Sequence, residues 1–148
     1  WVTYALKTLP LLRNAIIIGA NLSNVQRDER PLPDKVTVIP ENEVKRSSVA
    51  AMEQKIRSIL KDQPIYISVD KDVLDENNAA TNWDQGSMTL RQLLYLIRDL
   101  KHTNPIVGVD ICGELPLSPL DFLSSDWVRH VKKNEIANKA IVDIVSAG

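Results

Sequence analysis

Short apolar runs alternate along the chain with stretches whose apolar residues recur every three or four positions, the rhythm of strands and helices. Ala15 to Gly19, AIIIG, reads as a buried strand, and the polar stretch 21–35 that follows reads as a loop. Val36 to Ile39 reads as a second strand, ended by Pro40. From Ser47 or Ser48 to Leu60, the residues Val49, Met52, Ile56, Ile59 and Leu60 fall on one helical face, with a serine in place as N-cap. Pro64 to Val69 is a third, β-branched run that stops at the acidic stretch Asp70-Lys71-Asp72-Val73-Leu74-Asp75. Positions 76–88 have turn composition. Thr89 can cap a helix carrying Leu90, Leu93, Leu94, Ile97 and Leu100. Pro105 to Ile111 reads as a fourth strand, which runs into Asp110-Ile111-Cys112-Gly113-Glu114. A last helix is expected from about Asn134, with Ile136, Ala137, Ala140, Ile141 and Ile144 inward.

The expected order is therefore strand, strand, helix, strand, helix, strand, helix. Such alternation predicts an α/β fold, here a three-layer α/β/α arrangement with a mainly parallel sheet, as a single domain over residues 1–148. In open α/β sheets a ligand sits beyond the carboxyl ends of the strands. Both acidic stretches fall there.

Composition narrows the classes. A chain of 148 residues matches one domain and buries about 68–70% of its unfolded surface, enough to fold without disulfides or a structural metal. Lysine and arginine number 18 against 19 acidic residues, so the net charge of −1 gives no broad field for nucleic acid or an anionic membrane. No apolar run approaches the roughly 20 residues a bilayer requires, and the N-terminus lacks the basic start of a secretory signal, so no membrane association is expected. The single Cys112 rules out a disulfide framework and favours a reducing, cytoplasmic setting. With no histidine near it in sequence, Cys112 is expected to be a small buried apolar group. His102 and His130 are both expected at the surface.

Asp70 and Asp72 stand two residues apart at a strand end, where both can turn toward one cation, and their hard oxygens suit Mg²⁺ or Mn²⁺. A plainer reading has Asp70 capping the following turn, Asp75 solvating it and Lys71 neutralising the charge, with Ser68 on the opposite side of the strand. The same spacing occurs in magnesium-dependent phosphatases of the haloacid-dehalogenase type, where Asp70 would be nucleophile and Asp72 acid and base. That pattern needs a further paired acidic motif, and Asp110 and Glu114 are not adjacent. The D-x-D of sugar-nucleotide transferases rests on the two aspartates alone.

SVDKDVLD resembles the S-x-D-x-D-x-x-D signature in the C-terminal half of the arginase, agmatinase and formimidoylglutamase family, with Ser68, Asp70, Asp72 and Asp75 in place. TNWDQGSMTLRQLLYLIRDL is similar to the family's glycine-rich turn and following helix, through Gly86 and Thr89, and IVGVDI resembles its next strand. The resemblance implies two Mn²⁺ ions that activate water to attack a guanidinium or amidine carbon of a small-molecule substrate. Asp70 would bridge the ions, Asp72 would bind one, and Asp75 would fix the loop. The family's substrate-reading glutamate corresponds to Glu114, shifted one place because Gly113 occupies its usual position, so that it serves if the strand end bulges and is otherwise a helix-proximal or solvent-facing acid.

Trp83 and Asp84 also depart from the pattern, standing where small residues and proline are usual; the indole either narrows the site or packs on the sheet edge. The family's histidine and D-x-H-x-D ligands belong to its N-terminal half and have no counterpart in this sequence. Two explanations stay open. Either the chain is the C-terminal portion of a longer protein, as Trp1 at its start favours, or it is a non-catalytic relative or interaction domain. The first predicts association with the missing N-terminal segment or with another copy of the chain, because a half-sheet leaves apolar edges open.

Overall fold

The computed structural model describes residues 2–22, 32–115 and 125–147. In chain order these form helix α1 (Val2–Thr8), strands β1 (Ala15–Ala20) and β2 (Val36–Pro40), helices α2 (Glu41–Arg46) and α3 (Val49–Leu60), strand β3 (Ile65–Asp70), a 3₁₀ turn (Lys71–Val73), helix α4 (Leu90–Thr103), strand β4 (Ile106–Cys112) and helix α5 (Ser125–Ser146). The four strands and three main helices follow the expected order. Helices α1 and α2 are additions; α2 begins where Pro40 ends β2, and α5 starts at Ser125 rather than near Asn134.

The strands pair in parallel as two separate ribbons among the described residues, β1 with β2 and β3 with β4. Parallel neighbours need a crossover, and α4 supplies it between β3 and β4. In that pair Ser68 stands opposite Asp110 and Asp70 opposite Cys112.

Local chemistry fixes the helices. The Ser48 side chain accepts the Ala51 amide at the start of α3, and Thr89 with Gln92 closes a reciprocal capping box at the start of α4. Met52 and Ile56 of α3, Leu93, Leu96, Ile97 and Leu100 of α4, and Ala137 and Ile141 of α5 are buried against Ile65 and Val69 of β3. Each large apolar side chain among them contributes roughly 1.5–3 kcal/mol by leaving water. At the far end of α5, Lys101 donates to the carbonyls of Ile144, Val145 and Ala147, a cation at a helix C-terminus where it also meets the favourable end of the dipole.

These helices cover one face of the β3–β4 ribbon. The opposite face carries Tyr66, Ser68, Asp70, Asp110 and Cys112, all exposed. Among the described residues no helix is long and apolar enough to cross a membrane.

Candidate functional site

The site begins where β3 ends. Asp70 leaves the strand and caps the 3₁₀ turn, its Oδ1 accepting the Asp72 amide at 3.2 Å. Segment 84–88 wraps the turn: the Met88 amide donates to Val73 at 3.1 Å, the Asp75 amide to Met88 at 2.8 Å, and Gln85 Nε2 to the Leu74 carbonyl at 2.6 Å. Gly86 permits this approach, since a β-carbon there would lie 2.3 Å from the Val73 carbonyl oxygen. Asp75 holds the next bend by accepting the amides of Asn77 and Asn78, the loop-fixing part expected of it.

Asp70 and Asp72 meet in one cleft of about 300 Å³ at the carboxyl ends of three strands. Its walls include Gly19 to Asn21 at the end of β1, Glu41 after β2, Trp83, and Asp84 and Gly86 of the wrapping segment. Trp83 is 76% exposed at this wall. Asp72 Oδ1 is buried without a hydrogen-bond partner. Burial raises the Asp72 carboxyl above the ordinary range; the Thr81 hydroxyl lowers it, and the charges of Asp70 and Asp84 raise it further. An orphaned carboxylate oxygen among other acids suits a cation, so these two aspartates fit part of a divalent-metal donor set. Among the described residues no three His, Cys, Asp or Glu groups converge closely enough to hold a metal by themselves.

The residue between the aspartates points the other way. Lys71 is 0% exposed, and its Nζ donates to Glu114 Oε1 and, at 3.0 Å, to Asn138 Oδ1. Asn138 Nδ2 donates to the same Glu114 oxygen at 2.9 Å, and Asn134 Nδ2 reaches Glu114 Oε2 at 3.2 Å. Buried Asn134 also bonds both the amide and the carbonyl of Ala80. Glu114 thus lies on the α5 side of the turn and does not line the cleft with Asp70 and Asp72. Burial lowers the Lys71 ammonium, while the negative charges of Cys112 and Asp70 raise it.

Comparison with known proteins places this arrangement. A sequence model of the arginase family matches residues 2–119. The chain belongs to the arginase family. An uncharacterised protein of Thermotoga maritima is 44% identical over 69 residues, which make up 47% of this chain and 27% of that protein. The agmatine ureohydrolase of Thermoplasma volcanium superposes with a TM-score of 0.64 at 21% identity, over 97% of this chain and 45% of its own. A hypothetical agmatinase from Burkholderia thailandensis gives 0.62 at 19% identity, over 97% and 42%. Proclavaminate amidino hydrolase of Streptomyces clavuligerus gives 0.55 at 22% identity, over 90% and 55%. The chain therefore spans about half the length of these solved relatives or less.

Membership of the arginase family, on an arginase-like α/β fold, leaves the phosphatase and sugar-nucleotide readings without support. Several local expectations change. Ser68 shares the outward face with Asp70, because i and i+2 on a strand point alike, and its hydroxyl donates to Asp110 Oδ1 at 2.7 Å. Cys112 is exposed, since its register opposite Asp70 puts it on the same outward face. Lys71 is buried, so the charge it sets against Asp70 comes from within the protein. His102 is exposed as expected, whereas half-buried His130 lines a second cleft of about 330 Å³ with Glu76, Thr81, Gln85 and Lys133. Glu41 and Asp84 were not singled out as site residues. Glu41 directly follows a strand, as Asp70 does, and that position was the available signal.

Proposed function

We propose that this chain supplies part of the active site of a di-manganese hydrolase acting on a guanidino or amidino C–N bond. The observation that carries the reading is the Asp72 carboxylate, turned with Asp70 into a strand-end cleft and left with a buried oxygen unpartnered. Asp70 and Asp72 are the proposed metal ligands. Two divalent ions, when bound, supply Lewis acidity and a nucleophile drawn from water at neutral pH. Glu114 is the proposed substrate-binding residue. It lies outside the cleft lined by Asp70 and Asp72, so a substrate N–H would meet it from the α5 side of the turn, where its side chain is 54% exposed and three internal donors use only some of its about four acceptor positions.

In this reading residues 1–148 form the C-terminal portion of a longer arginase-fold domain, and the remaining ligands come from the rest of it. The two ribbons have open edges among the described residues that further strands of that segment, or of another copy, would pair.

The test is Mn²⁺ titration calorimetry with elemental analysis on the longest natural polypeptide that carries this chain, followed by a screen for urea release from guanidines. Stoichiometric Mn²⁺ binding that disappears in the Asp70→Asn, Asp72→Asn double variant is the expected result. No binding by that polypeptide would overturn the reading and leave a non-catalytic member of the family.

A further inference from the structure

We infer that the Lys71–Glu114 ion pair, braced by Asn138, fixes the direction in which Asp70 and Asp72 point, which makes Lys71 and Glu114 positioning residues of the cleft. The relevance to metal binding rests on the function proposed above, while the mechanical part stands on the geometry alone.

Lys71 continues the inward alternation of Ile65, Ile67 and Val69 one step beyond the strand. Asp70, exposed at the strand end, and Asp72, half-buried in the 3₁₀ turn, flank it and both line the cleft. An anchored side chain between them resists rotation of the two peptide groups that carry the carboxylates. The anchor reaches another element: Asn134 and Asn138 lie one turn apart on α5, on the face that also buries Ala137 and Ile141. Asn134 simultaneously clamps Ala80 in the loop beside the turn. One helix face thus ties down both the turn and the loop beside it.

Stability is a weak reason for such a pair. Only Lys71 is buried while Glu114 is 54% exposed, and an ion pair with one partner open to solvent is screened and contributes little net stability. Orienting two repelling carboxylates is a task that apolar packing does not perform, and outer partners of metal ligands commonly carry it.

The test is the double variant Lys71→Met, Glu114→Gln in the full natural polypeptide. It removes one positive and one negative charge together, so the net charge near the cleft stays constant and any change reports geometry. Amide exchange followed by NMR is expected to speed up at least tenfold at Asp72 and Leu74, whose amides bond within the turn, with α4 unchanged. Mn²⁺ affinity is expected to fall about 10–100-fold. Asn138→Leu, which keeps both charges, is the second arm and should show the same changes at smaller size. Unchanged exchange at Asp72 and Leu74 in both variants overturns the inference, as does wild-type Mn²⁺ affinity in the double variant. If the unmodified polypeptide binds no Mn²⁺, the proposed function fails, and the exchange rates still decide the inference.

Discussion

Gly113 lies so close to the Asp70 carboxylate that a β-carbon on it would stand 2.6 Å from Asp70 Oδ1 and 2.8 Å from the Lys71 amide nitrogen. Its φ of +82° is a left-handed conformation that glycine alone adopts freely. This glycine lets the chain leave β4 sharply and brings Glu114 back over Lys71. Gly113→Ala is expected to cost about 1–3 kcal/mol in urea unfolding. Because part of the clash is with the carboxylate and part with the Lys71 backbone, Gly113→Ala combined with Asp70→Ala should be somewhat less destabilised than the sum of the two single variants. Strict additivity would mean that backbone strain alone sets the cost.

The alternation of strands and helices was legible because each apolar run is short and each helix carries a clean face with a side-chain cap, as at Ser48 and Thr89. The position of Asp70 and Asp72 followed from the rule that strand carboxyl ends hold ligands. The burial of Lys71 is unusual for a lysine, although its parity with Ile65, Ile67 and Val69 marks it as inward. The role of Glu114 depends on Asn134 and Asn138, and no local pattern links residue 114 to a helix face twenty residues on. Asp84 enters the cleft only through the wrapping of segment 84–88, which rests on long-range backbone bonds rather than on periodicity.

Lys61 closes α3 with φ of +50°, in a region that L residues enter at a cost. Its carbonyl is held by Asn104 Nδ2 at 2.7 Å, which also holds the Gln63 carbonyl at 2.8 Å, so the loop has no freedom to relax. Lys61→Gly is expected to raise stability by about 1 kcal/mol, since relief of the strained backbone outweighs the added freedom of the unfolded chain. A urea midpoint shifted upward with an unchanged slope checks this. A downward shift would show that the Lys61 side chain matters more than its backbone.

Cys112 faces solvent beside three carboxylates. Desolvation pushes its thiol above the ordinary cysteine range, and the charges of Asp70, Asp110 and Asp72 push it further in the same direction. The thiolate is the reactive form, so alkylation by iodoacetamide at neutral pH is expected to be several-fold slower than for an unstructured cysteine peptide. Asp70→Asn should move the pH–rate midpoint downward. In the proposed metal-loaded protein Mn²⁺ should move it the same way, which makes Cys112 a reporter of the cleft. A midpoint equal to that of the peptide would contradict the electrostatic picture.

Glu53 on α3 faces Asp99 on α4 across the packed helices. Desolvation raises the Glu53 carboxyl above its ordinary value, Asp99 raises it further as hydrogen-bond partner and as charge, and Arg57 pulls the other way. The sign for stability follows from linkage. A carboxyl whose folded pKa exceeds its unfolded pKa binds its proton more tightly in the folded state, so stability declines as pH rises from the unfolded value through the folded one. At neutral pH the folded protein carries the full penalty of that charge. Glu53→Gln keeps the shape, removes the charge and offers Asp99 an N–H donor that the carboxylate lacks, so its melting temperature at pH 7 is expected to exceed that of the parent by a few degrees. The gain should vanish below the ordinary glutamate range, where folded and unfolded parent both hold the proton. A variant that melts lower at pH 7 would show that the Glu53–Arg57 pairing outweighs the repulsion between the helices.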